Sequence, residues 1–300
     1  MELEKVATEL RSRARWMPRV SMRRPWARRL ARALTRRMRA VAVPGVRLET
    51  ADGIRVYRPD AVRSDAALLW IHGGGLVAGS AVADDRFCGE TARELGITVV
   101  SAEYRLAPEN PCPAAIDDCH AAWTWLQERA ASLGVDPARV AIGGQSAGGG
   151  LAAALVQRLH DEGGPQPLAQ WLFCPMLDDR TAARRDLDRV GHLVWDNRLN
   201  HFGWRSYLAA EPGVSEVPRY AVPSRRGDLS GLPPAWIGVG DIDLFHDEDH
   251  AYAEQLLEDG VETRFHVVPG APHGFEAWAP GTDLARAYLA AARTWLRART

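Results

Sequence analysis

Short runs of apolar and β-branched residues recur along the chain at 68–71, 97–101, 140–143, 170–174, 236–239 and 263–268. They lack strict alternation, the pattern of strands buried on both faces. Between them, apolar residues recur at helical spacing over 86–95, 113–130, 147–161, 248–259 and 283–298. Alternating strands and helices predict an α/β fold with a mostly parallel central sheet flanked by helices. The clearest helix opens at Pro113 and puts Ile116, Cys119, Trp123 and Leu126 on one face. The alternation breaks from Asp178 to about Leu232, a stretch holding Trp195, Phe202, Trp204 and Tyr207 and ending in a Pro- and Gly-rich return. An insertion of that length predicts a cap over 178–230.

Residues 11–39 are Arg-rich, with Arg23, Arg24, Arg28, Arg29, Arg32, Arg36, Arg37 and Arg39, while Trp26, Leu30 and Leu34 recur every four residues. This pattern predicts a basic amphipathic helix, suited either to a membrane surface or polyanion, or to packing its apolar stripe on the rest of the protein. The formal net charge of -1 favours packing and gives no reason to expect a nucleic-acid partner. The start, Met1-Glu2-Leu3-Glu4-Lys5, carries no continuous apolar segment, so neither stable membrane insertion nor secretion is expected, and a cytoplasmic location is the default. Cys88, Cys112, Cys119 and Cys174 form no C-x-x-C pair or zinc-type cluster and read as reduced and structural. With 300 residues, 46% of them hydrophobic, the chain suits one catalytic domain with a cap, and a homodimer is left open.

In an α/β sheet, chemistry gathers at the carboxyl ends of the strands. After the run ending at Gly143 comes Gly144-Gln145-Ser146-Ala147-Gly148-Gly149, then an alanine- and leucine-rich helix. This is the G-x-S-x-G nucleophile elbow, in which a tight strand-to-helix turn excludes bulk two residues either side of the serine. A plain Gly-rich turn or a phosphate loop is the alternative for that motif taken alone. After 68–71 comes His72-Gly73-Gly74-Gly75, an oxyanion-type loop whose small residues let amides approach a developing negative charge. The donors are assigned to Gly74, Gly75 and Ala147, with His72 and Gly73 supporting the loop. Of nine histidines, His273 in Pro269-Gly270-Ala271-Pro272-His273-Gly274-Phe275 stands where the chain order Ser, Asp/Glu, His puts the base. The carboxylate is sought among Asp241, Asp243 and Asp247; Asp243 is chosen because it lies far enough past its strand, whereas Asp247 and Glu248 suit the first turn of the next helix.

Over roughly residues 45–299 these motifs resemble the hormone-sensitive-lipase-like, or HGGG, esterases of the α/β-hydrolase superfamily. The resemblance rests on 72–75, Tyr104-Arg105-Leu106-Ala107-Pro108-Glu109, Pro113-Ala114-Ala115-Ile116-Asp117-Asp118, 144–149, 243–248 and 273–275, in that order. It implies the α/β-hydrolase fold over 46–300, Asp243 as the orienting carboxylate, and a helical cap built from 1–45 and 178–230. Two positions depart from the family pattern: Gln145 stands where an Asp is usual, and Cys112 where an aromatic is usual.

The expected activity is a serine carboxylester hydrolase cleaving small to medium acyl esters through an acyl-enzyme, with no metal or organic cofactor. Trp195, Phe202, Trp204 and Tyr207, with Trp16 or Trp26, are candidate pocket residues, although core packing competes for the same aromatics. A transacylase or deacetylase acting on an acylated natural product shares the covalent intermediate, and a non-catalytic ligand receptor is the third reading.

Overall fold

The alternation of strand and helix is realised in a computed structural model, which describes residues 3–17, 22–51 and 53–300. The strands are β1 (Val46–Ala51), β2 (Ile54–Pro59), β3 (Ala67–Ile71), β4 (Thr98–Ala102), β5 (Val140–Gln145), β6 (Gln170–Phe173), β7 (Ala235–Gly240) and β8 (Thr263–Val268). Among the described residues they form one sheet in the order β1-β2-β4-β3-β5-β6-β7-β8. From β4 to β8 all pairings are parallel, whereas β2 pairs antiparallel with both β1 and β4.

The β1–β2 hairpin is an addition to the expected sheet. Its signal is present in the sequence as alternation, Val46-Arg47-Leu48-Glu49 and Ile54-Arg55-Val56, on either side of an Asp-Gly dipeptide. Because β1 lies at the sheet edge and is mostly exposed, its polar positions kept it from reading as a buried run.

The helices are α1 (Thr8–Ala14), α2 (Pro25–Arg36), α3 (Asp85–Leu95), α4 (Ala114–Leu133), α5 (Ala147–Glu162), α6 (Asp179–Ala183), α7 (Asn197–Leu208), α8 (His246–Glu258), α9 (Phe275–Trp278) and α10 (Asp283–Arg297). Side chains alternate across β3: Leu68 and Trp70 enter one core, Ala67, Leu69 and Ile71 the other. The first core is aromatic, with Trp70, Trp171, Phe173, Trp236 and Tyr288 packed edge to face or tilted between sheet and α10. Trp171 is fully buried, and its indole N–H donates to the Ala292 carbonyl at 3.1 Å. The second core lies under α4, α5, α7 and α8.

The amphipathic pattern of 11–39 becomes two helices, and α2 faces the opposite way from the sequence reading. Trp26, Leu30 and Leu34 point to solvent at 63%, 52% and 61% exposure, whereas Arg28 is buried. Arg32 donates to the carbonyls of Val77 (2.8 Å) and Ala107 (2.5 Å) and to Glu109 (2.8 Å), while the Arg28 guanidinium sits 5.6 Å over the Phe202 ring. A guanidinium that satisfies two carbonyls and a carboxylate recovers its desolvation cost, and its alkyl stem fills the contact as a leucine would. Hydrogen bonding thus turned the helix, and the apolar stripe was left outside.

Candidate active site

Ser146 ends β5 and heads α5 with φ 56° and ψ −122°, a backbone conformation that costs a non-glycine residue energy. The neighbours show why this turn tolerates no bulk. A Cβ added at Gly144 would lie 2.3 Å from the Gly148 carbonyl oxygen, and one at Gly148 would lie 2.1 Å from that of Ile71. The elbow is held from both sides: the Ser146 amide donates to Phe173, and the Ser146 carbonyl accepts from Gly150 and Met176.

The loop after β3 folds on itself, with the Val77 and Ala78 amides donating to the Gly74 carbonyl. Gly74 (φ +125°) and Gly75 (φ +62°) occupy conformations that favour glycine. Among the described residues, the amides of Gly74, Gly75 and Ala147 have no acceptor. His72 is buried, stacks on Tyr104 at 4.2 Å, and has Nδ1 2.8 Å from the Gly73 carbonyl, while the Tyr104 hydroxyl donates to the His72 carbonyl. These contacts brace the loop and keep His72 out of contact with Ser146.

His273 sits in the loop between β8 and α9, its Nε2 2.8 Å from Ser146 Oγ and its Nδ1 2.8 Å from Asp243 Oδ2. Asp243 Oδ1 accepts from the Phe245 amide, which fixes the carboxylate's orientation. Asp241 instead accepts from the Gly270 amide at 2.6 Å, and Asp247 pairs with His246 on the surface. Burial alone would lower the His273 pKa. The charge and hydrogen bond of Asp243, with the charge of Glu276, outweigh it and raise the imidazole above its ordinary value. Cys174 offers a third donor atom within 4.8 Å of those of Asp243 and His273, but burial pushes its thiol well above the usual range.

A family model described as the alpha/beta hydrolase fold matches residues 68–277 of the 300. The chain belongs to the alpha/beta hydrolase fold family. Carboxylic ester hydrolase LipN of Mycobacterium tuberculosis is 38% identical over 228 residues, 74% of this hydrolase; the match spans 60% of LipN's own length. The solved bacterial heroin esterase superposes with a TM-score of 0.90 at 37% identity, covering 99% of this chain and 98% of that one. An esterase of the bacterial hormone-sensitive lipase family superposes at 0.79 with 29% identity, covering 99% and 97%. The resemblance read from the ordered motifs is therefore met by the family and by its solved neighbours.

The aromatics of the hydrolase's insertion divide. The far edge of the Trp195 indole abuts Gly75, where an added Cβ would come 2.0 Å from its Cη2, so Trp195 walls the glycine loop. Phe202 is half-buried beneath Arg28. Trp204 and Tyr207 are buried and belong to the second core, the packing role that competed with a pocket for them. Trp16, at 83% exposure, and Trp26 face solvent.

Glu276 escaped the sequence reading. It is buried on α9, three residues after His273, and accepts from Gln145 Nε2 at 2.5 Å. Burial raises its pKa; its own backbone amide and Gln145 oppose that. Gln145, one residue before Ser146, thereby tethers the histidine loop to the nucleophile strand, which gives the departure from Asp at this position a structural role. The only sequence signal was an acidic residue following His273-Gly274-Phe275.

Proposed function

We propose that this hydrolase cleaves carboxylic esters through Ser146, His273 and Asp243. The observation that carries the reading is the continuous 2.8 Å relay from Ser146 Oγ to His273 to Asp243, beside three amides without acceptors. Ser146 Oγ attacks the ester carbonyl as His273 Nε2 takes its proton, and Asp243 holds the tautomer that leaves Nε2 free to accept. The Gly74, Gly75 and Ala147 amides receive the oxyanion. When the tetrahedral adduct collapses, the C–O bond to the alcohol breaks and His273 returns the proton to it. Water, deprotonated by His273, then attacks the acyl-enzyme and releases the acid. Trp195 and Phe202 form apolar walls suited to small and medium acyl groups, and residues 1–45 with 178–230 act together as the cap, joined where Arg28 meets Phe202.

The test is hydrolysis of p-nitrophenyl esters from acetate to decanoate. Ser146→Ala and His273→Ala are each expected to lose about 10⁶ in kcat, as members of one unit do. An unaltered rate in Ser146→Ala, or no turnover by the parent on any chain length, removes the proposal.

A further inference from the structure

The surface of α2 combines two features that rarely coincide by chance. Its outward stripe, Trp26, Leu30 and Leu34, continues into Met38 at 48% exposure, whereas the other exposed large apolar residues, such as Val62 and Leu257, are mostly scattered singly. Flanking and interleaving the stripe are the exposed arginines Arg23, Arg24, Arg29, Arg36 and Arg37, with Arg39 beyond the helix. Among the described residues these six have no ion-pair partner; Arg28 and Arg32, on the inward face, take Glu109. Thirteen arginines and no acidic residue fall between Leu10 and Leu48, so the remainder of a chain whose total is -1 carries -14. Charge is strongly polarised along the sequence, and its positive segment includes the described helix that exposes the most large apolar side chains.

We propose that α2 docks this protein on an anionic lipid surface. The helix would lie in the headgroup plane, Trp26, Leu30 and Leu34 at the acyl boundary and the guanidiniums among lipid phosphates. Charge decides the occupant. A second copy meeting this face across a two-fold axis would set two arginine clusters against each other. A nucleic acid would neutralise the arginines but leave the Trp26-Leu30-Leu34 stripe in water. An anionic bilayer satisfies both. No described helix is long and apolar enough to cross a membrane, so contact is peripheral. Because Arg28 and Arg32 fix α2 to Glu109 and to the carbonyl of Val77, docking would hold the Ser146 site beside the membrane surface, where apolar esters concentrate.

The test reads binding, so it stands apart from the esterase reading. Flotation with phosphatidylcholine vesicles, with and without 30% phosphatidylglycerol, compares the parent with Trp26→Ala/Leu30→Ala/Leu34→Ala and Arg29→Glu/Arg36→Glu/Arg37→Glu. Each arginine near an anionic surface is worth about fivefold in partitioning. The parent is therefore expected to prefer anionic vesicles by at least about tenfold, with the preference lost at 0.5 M salt, and each triple variant to lose at least about tenfold while keeping the parent's melting temperature. Equal partitioning onto both vesicles, or triple variants that bind as the parent does, overturns the proposal. So does a dimer abolished by the apolar triple variant without vesicle binding, which assigns the face to a second copy, or duplex DNA binding that the arginine variant alone abolishes without vesicle binding.

Discussion

The substitution Gln145→Glu probes the tether between the nucleophile strand and the histidine loop. Glutamate keeps the length and shape of Gln145 but presents a carboxyl where an amide N–H now donates to Glu276 at 2.5 Å. At low pH the new carboxyl keeps its proton and donates in the amide's place. In the unfolded chain both carboxyls ionise near their ordinary values as pH rises. In the folded chain they face each other, with Asp243 adding negative charge and His273 opposing it. Two charges about 4 Å apart at an effective dielectric of about 20 repel by about 4 kcal/mol. The folded pair therefore retains a proton to higher pH than the unfolded chain does. A carboxyl raised on folding contributes stability that is full below its unfolded pKa and lost as pH rises through its folded one. At about 2–4 °C per kcal/mol, the variant should melt on the order of 10 °C below the parent at pH 8 and within a few degrees of it at pH 5. Thermal unfolding monitored by tryptophan fluorescence at pH 5, 6.5 and 8 measures the gap. A gap that does not change with pH would show that the two side chains do not share a dry contact, and the tether would have to be abandoned.

Other consequences of the site are as direct. Asp243→Asn offers an N–H to His273 Nδ1, forces the wrong tautomer and should lower kcat by about 10⁴, whereas Asp241→Asn, which loosens only the Gly270 contact, should cost less than about tenfold; steady-state rates in the reverse order would move the carboxylate to Asp241. Gly75→Ala drives a methyl into the Trp195 ring and should cost about 10² to 10³ in kcat, of which Trp195→Ala in the same chain should restore at least about tenfold. No recovery in that double variant would place the cost in the positive φ of Gly75. Among the described residues both carboxylate oxygens of Asp249 are buried without a hydrogen-bond partner, and burial, then Glu248 and Asp243, push its pKa well above the ordinary range. The stability its neutral form supports is lost as pH rises, so Asp249→Asn should raise the melting temperature more at pH 8 than at pH 5; an equal shift at both would contradict the assignment.

The parts of the molecule legible in the sequence are those whose cause is local. Strands β3 to β7 announced themselves because both faces are buried, and the elbow because Gly144 and Gly148 must be bare for reasons that act within a few residues; the half-exposed edge strand β8 was legible only as the β-branched and aromatic run 263–268. The hairpin β1–β2 was lost because its first strand lies exposed at the sheet edge, where alternating polar residues do not read as a buried run. The Gln145–Glu276 pair was invisible because its members lie 131 residues apart and a glutamate in a four-residue helix looks like any surface acid. The orientation of α2 was misjudged for a different reason. Net charge is a property of the whole chain, but the outcome depended on whether Arg32 found acceptors at Val77, Ala107 and Glu109. No periodicity in residues 25–36 encodes those partners.

The Arg32 contacts also set the size of the smallest piece that can work. The match to the family model begins at residue 68, yet the turn that follows Gly75 takes a hydrogen bond at Val77 from a helix ending at Arg36. A chain trimmed to residues 68–277 would leave the carbonyls of Val77 and Ala107 and the carboxylate of Glu109 without Arg32, and the glycine loop would lose its outer brace. The leading segment cannot then be exchanged between family members as an independent module. Any graft must carry an arginine at this position and its three acceptors together, which makes catalytic competence a joint inheritance of sequence inside and outside the recognisable family core.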